Sequence, residues 1–104
     1  MRHRSRLNVI GPRVRKLRDN KGWSQGTLAR RLQLLGWSVS RHSVAKLELQ
    51  IRRVSDCELM YVARVLGVPP NELFPKKVAW REVGPVFQGS HRLSLFPARG
   101  DKAG

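Results

Sequence analysis

Apolar side chains recur at spacings of three and four from Val14 to Phe74, and small or turn-forming residues cut that pattern into short segments. This is the periodicity of helices that bury one face. Pro12 suits the first turn of a helix, where its missing N–H costs nothing. Val14 and Leu17 make an apolar edge among Arg13, Arg15, Lys16 and Arg18, and Gly22 ends the segment. Ser24 is a good N-cap for a second helix, whose stripe is Leu28, Ala29, Leu32 and Leu35, with Gly36 as its stop. Ser40 caps a third helix with Val44 and Leu47 facing inward. Ser55 caps a fourth, where Asp56 and Glu58 complement the positive helix end and Leu59, Val62, Ala63 and Leu66 form a buried face. Gly67 ends it, and Pro69-Pro70-Asn71 leads into one turn holding Leu73 and Phe74.

The pattern predicts an all-α chain, a compact bundle of four helices plus a terminal turn over residues 12–75. Its apolar faces total about fifteen side chains, enough for a small core. Residues 1–11 read as a loose basic arm. After Pro75 the periodicity is lost, and residues 76–104 read as a poorly ordered basic tail, a dimerisation strand or a segment for docking a protein partner.

The third helix carries the most informative polar face. With about 3.6 residues per turn, Val44 and Leu47 share one side, while Arg41, His42, Ala45 and Lys46 share the other. A helix of this width fits the major groove of DNA, where Arg and Lys can donate to guanine O6 and N7. A solvated charged face is the plainer explanation for such a stripe taken alone.

Charge narrows the classes of partner. Lys and Arg number 21 against 7 Asp and Glu, a formal net charge of +14. Residues 1–75 hold 15 basic and 5 acidic side chains and residues 76–104 hold 6 and 2, so the folded part is itself cationic. Attraction to a polyanion follows, whether DNA, RNA or an anionic membrane. The longest apolar stretch, Leu59 to Pro70, is interrupted by Arg64 and too short to span a bilayer. The basic start, Met1 to Asn8, is followed by no long apolar run, so it is not read as a secretory signal. Cys57 is the only cysteine; no intrachain disulfide can form, and the cytoplasm is the expected compartment.

Candidate chemistry is sparse. Cys57 has no resolving partner and reads as a half-buried inert thiol. His3, His42 and His91 show no metal-ligand spacing. Trp23 and Trp37, beside helix ends, read as core rather than as base-stacking platforms. Met60 and Tyr61 read as packing or dimer surface. No nucleophile–base series, carboxylate pair or phosphate loop stands out, so the chain is expected not to be an enzyme and to need no cofactor or metal.

The order of elements adds to this. Gly22-Trp23-Ser24-Gln25-x-x-Leu28-Ala29, then Ser40-Arg41-x-x-Val44-x-x-Leu47-Glu48, then Ala63-x-x-Leu66-Gly67-Val68 and Glu72-Leu73-Phe74, resembles the phage-repressor and Cro-like helix-turn-helix family. The likeness runs from Gly11 to Phe74 and implies a lambda-repressor-like bundle of four to five helices. It implies that Gln25 meets backbone phosphate, that Arg41 and His42 reach base edges with Lys46 a turn later, and that the cap Ser40 also lies at the DNA, beside Ser43, which can reach phosphate. It further places Arg52 and Arg53 on the DNA backbone and pairs Arg18 with Glu48 as a structural tie. Two features depart from the family. The connection from Leu28-Ala29 to Ser40 is longer by several residues, expected to lengthen the second helix and enlarge a loop packed down by Trp37 and Val39. The family's Glu-x-Gly is here Glu48-Leu49-Gln50, so the third helix is expected to end differently.

The combined expectation is a sequence-specific regulator that binds double-stranded DNA as a homodimer, most simply a transcriptional repressor. One rival is the antitoxin of a toxin–antitoxin pair, with the same DNA-binding domain and a toxin held by the tail. A rival of another class is an RNA- or ribosome-associated basic protein. Arg2, Arg4 and Arg6 before the first helix, and Lys76 and Lys77 after the terminal turn, are expected to touch phosphates and steepen the salt dependence.

Overall fold

The structure, a computed structural model, describes residues 6–84. Four α-helices follow in order: α1 (Gly11–Asn20), α2 (Gln25–Leu35), α3 (Arg41–Glu48) and α4 (Asp56–Leu66). Short 3₁₀ turns follow at Pro70–Leu73 and Trp80–Glu82. The all-α bundle expected from periodicity is what forms. Among the described residues no helix is long and apolar enough to cross a membrane.

The serines begin the helices as their chemistry requires. Ser24, Ser40 and Ser55 accept from the N–H groups of Thr27, Ser43 and Glu58. Glu58 returns the bond to the Ser55 N–H, completing a capping box. α1 has no such serine; Asn8 Oδ1 instead accepts from the N–H groups of Ile10 and Gly11 at 3.1 and 2.9 Å.

The helix ends share one device. The Trp23, Trp37, Ile51 and Val68 N–H groups each reach back to a carbonyl five residues earlier, the closure that requires a left-handed residue at the turn. Gly22, Gly36 and Gly67 supply it after α1, α2 and α4. After α3 the position belongs to Gln50, with φ of 65°. The different ending expected there is therefore corrected. The turn has the glycine conformation without the glycine, at a cost of roughly 1–2 kcal/mol. Tertiary bonds offset it: Gln50 Nε2 donates to the Asn8 carbonyl and the Leu7 N–H donates to the Gln50 carbonyl.

The core is one cluster. Val14, Leu28, Leu32, Val44, Leu47, Val62, Leu66 and Leu73 are fully buried; each is worth roughly 1.5–3 kcal/mol relative to exposure. α2 packs on both α3 and α4, while α1 crosses α3. Val39 is buried and Trp37 packs against the cluster, so the long connection is held down as expected. Leu35 and Phe74, expected inside, lie at the surface. Each sits beside a residue, Leu73 or the cap Gly36, where the helical direction ends and the stripe no longer points inward. Cys57 is exposed, not half-buried, because the inward face of α4 is Val62, Ala63 and Leu66.

The largest revision concerns the ends. From residue 6 the expected arm is packed. Ile10 is buried, and Asn8 Nδ2 donates to the carbonyls of Leu47 and Arg52. The chain after Pro75 folds back upon it: the Arg6 N–H donates to the Glu82 carbonyl at 2.8 Å and Arg6 bridges to Val83. Lys76 and Lys77 thus precede a docked strap rather than a free tail. The expectations for Arg2, His3, Arg4, His91 and the rest of the tail lie outside the described residues.

Gly11 lets α1 approach α3. A Cβ there would stand 2.6 Å from the Leu47 carbonyl oxygen and 2.8 Å from that of Glu48. Both are backbone atoms and cannot swing aside. Gly11→Ala should therefore cost about 1–3 kcal/mol, read as a lower urea midpoint at unchanged slope.

Candidate nucleic-acid interface

α3 has eight residues, too few to hold a helix alone. Its orientation is fixed from its inward side. Val44 and Leu47 enter the core, and Glu48 is buried behind them. The Glu48 carboxylate accepts three bonds: Arg18 Nε at 2.6 Å, Arg18 Nη2 at 2.9 Å and Gln25 Nε2 at 3.0 Å. The Glu48 side chain is 2% exposed and that of Arg18 9%. Arg18 also donates through Nη1 to the Trp23 carbonyl at 2.6 Å. The bond to Glu48 raises the Arg18 pKa above its ordinary value, against the lowering effect of burial. The guanidinium therefore stays charged wherever the protein is folded. The structural tie expected between Arg18 and Glu48 is present, and it joins α1, α2 and α3 at one carboxylate.

The outward side of α3 is open. Ser40, Arg41, His42 and Lys46 are exposed, while Ser43 and Ala45 are half-buried. The start of α2 lies against the start of α3, since a Cβ on Gly26 would stand 3.6 Å from Arg41 Cδ. Two helix N-termini with their unpaired N–H groups are thus brought together beside cationic side chains, an arrangement that favours anions.

Two positions differ from a simple contact surface. Gln25 stands at the first residue of α2, but its amide donates to Glu48, so it serves the clamp from within the interface. Arg52 is turned inward. Its guanidinium lies 5.7 Å from the Trp37 ring centroid and 3.3 Å from Glu58 Oε2, and its Nη1 is enclosed. Arg53, beside it, is exposed. The pairing of Arg52 with Arg53 as two backbone contacts is therefore not what the geometry presents. The reason is Trp37, whose indole and the adjacent Glu58 offer Arg52 a partner on each side.

Sequence reasoning misses Asn8, which falls within the stretch that reads as a loose arm. Its two donated and two accepted bonds join the start of α1 to the exit of α3. It also misses Gln33, whose Nε2 donates to the Val39 carbonyl at 2.7 Å and steadies the loop before α3. An asparagine three residues before a glycine-proline helix start was the one available signal for the first. None existed for the second.

The sequence profile of the helix-turn-helix family matches residues 14–73. The chain belongs to that family. Solved structures agree. The restriction-modification controller protein C.AhdI from Aeromonas hydrophila is similar at 37% identity over 62% of this chain and 87% of that one, with a TM-score of 0.56. The hypothetical transcription factor NHTF from Neisseria is similar at 30% identity over 64% and 71%, TM-score 0.57. The P22 c2 repressor, crystallised with a synthetic operator, shares the fold at 18% identity over 67% and 98%, TM-score 0.56. No curated protein is significantly similar in sequence. In this helix-turn-helix chain, α2 and α3 are the two helices of the motif. The matched stretch begins at Val14 and ends at Leu73, both fully buried. Residues 6–10 and the strap at 79–83 add to it from outside.

The clamp makes a testable demand. Arg18→Met leaves the Glu48 carboxylate buried without its main partner and should cost about 3–5 kcal/mol. Adding Glu48→Met to the same chain should recover much of the loss, because no buried charge then remains. Chemical unfolding of the wild type, the single and the double variant measures this. Equal losses in single and double would show that the pair acts by packing alone.

Proposed function

We propose that the chain reads duplex DNA with the outward face of α3 and represses transcription from the site it binds. The family supports a DNA-binding transcriptional regulator. One observation carries the finer reading. Arg41, His42 and Lys46 are exposed together on a helix whose opposite face is locked by Val44, Leu47 and Glu48. In the proposal Arg41 and His42 reach base edges, Lys46 extends the contact by one turn, and Ser40, Ser43 and Arg53 lie toward phosphate. Gln25 holds α3 in place through Glu48 and can offer its second amide hydrogen to phosphate. Arg52 acts indirectly, through the Trp37 loop.

A second reading is favoured by the 37% identity to a restriction-modification controller protein over 87% of its length. In that reading the regulated genes belong to a restriction–modification system. The occurrence of the selected binding sequence upstream of such genes would support it, and its occurrence elsewhere alone would not.

Selection from a random duplex pool supplies the site for the test. Arg41→Ala or Lys46→Ala should cost about 1–3 kcal/mol on the selected sequence, and much less on random duplex. Equal losses on both would reduce the chain to a binder by charge, as an RNA- or ribosome-associated protein would be.

A single small domain covers few base pairs, so we propose a two-fold dimer as the binding unit. Its recognition helices would stand about 34 Å apart, or a multiple of that, on one side of the duplex. The selected sequences should then be inverted repeats. A footprint on one unrepeated half would contradict the dimer.

A further inference from the structure

The outer face of α4 has no role in the bundle. Asp56, Cys57, Met60 and Arg64 are all exposed. Asp56, Met60 and Arg64 stand four residues apart, forming one ridge along the helix. Beside the ridge runs an open groove of about 640 Å³, lined by Leu35, Tyr61, Ala63, Val68 and Pro70. Met60 is 56% exposed, and Leu34, next to Leu35, is 81% exposed. Apolar surface gathered in this way marks an interaction site more often than scattered side chains do.

The charges at its ends point to what covers it. Asp19, Glu48, Glu58, Glu72 and Glu82 each have an arginine partner. Among the described carboxylates Asp56 alone has none, and Arg64 has none either. Within one chain the two are eight residues apart along the helix, roughly 12 Å, too far to pair with each other. Two copies of α4 packed antiparallel about a two-fold axis at Met60 change that. The residue four before Met60 then stands opposite the residue four after it in the other copy. Asp56 of each copy meets Arg64 of the other, twice, with Met60 against Met60 between them. A self-complementary patch of this kind is what a two-fold interface requires.

We infer that the α4 ridge and its flanking groove form the homodimer interface, with a second copy of this chain as the occupant. The inference rests on the proposed two-fold DNA-binding unit and names the surface that makes it.

Sedimentation of the full chain tests it, with circular dichroism to show that each variant is folded. Met60→Asp should turn dimer into monomer. Asp56→Arg alone, and Arg64→Asp alone, should each weaken self-association roughly tenfold or more, since like charges then face each other. Mixed in equal amounts, those two variants should associate as a heterodimer, because every facing pair is again of opposite sign. No purely local role for either charge predicts rescue by mixing. Variants that all sediment as the wild type does would overturn the interface. So would a full chain that stays monomeric at the concentrations where it binds DNA, with Met60→Asp merely lowering its melting temperature. Binding of each variant to a duplex holding one half of the selected sequence needs only α3. Retained half-site binding alongside an unchanged dimer would therefore discard this interface and leave the DNA reading standing.

Discussion

A buried carboxylate organises the end of the molecule that carries α3. Glu48 ends α3 inside the protein, where an unpaired charge would be prohibitive. Arg18 of α1 meets it with two donors and Gln25 of α2 with a third. Three helices are thereby referred to one point. α3 is too short to keep its own direction, so its direction comes from this point together with Val44 and Leu47. The net stability gained can be small, since desolvating both charges opposes the bonds they make. What the arrangement fixes is geometry, which the proposed entry of α3 into a groove needs more than it needs stability.

The opposite end of α3 is held by different means. Gln50 accepts a left-handed backbone conformation, and Asn8 spans from the start of α1 to the carbonyls of Leu47 and Arg52. Residues 6–10 and the strap at 79–83 close over this junction through Arg6 and Glu82. On the third side, Trp37 lies between Tyr61, at 6.3 Å between ring centroids, and Arg52. α3 is therefore braced at its start by the Trp37 loop, along its length by the core, and at its end by Asn8. The lengthened connection before it is part of that support.

Local features were legible in the sequence and distant ones were not. Capping serines, stop glycines and apolar spacing act within one or two turns, and they placed α1 to α4 almost to the residue. The Arg18–Glu48 tie was visible through the family likeness. The likeness implies phosphate for its third member, Gln25, and nothing local tells an amide that it will also meet the Glu48 carboxylate. Asn8 and Gln50 act across 39 to 44 residues, and such bonds leave no periodic trace. Arg52 looked like Arg53 in the sequence. The half-burial of one and the exposure of the other depend on Trp37 and Glu58, which come together only in the fold. Cys57 failed for a simpler reason, since one apolar side chain near a helix start has no stripe to assign it to a face.

The central claim is that the outward face of α3 reads bases. Its most direct measurement is the preferred duplex sequence of the wild type beside that of Arg41→Gln, each selected from the same random pool. Arginine favours guanine through O6 and N7, and glutamine favours adenine through N6 and N7. The account predicts that the preference changes at one base-pair position in each half-site, toward adenine, while the other positions and the repeat spacing stay as they were. An identical preferred sequence for the two proteins, with only the affinity altered, would contradict base readout by Arg41 and with it the placement of α3 in the groove.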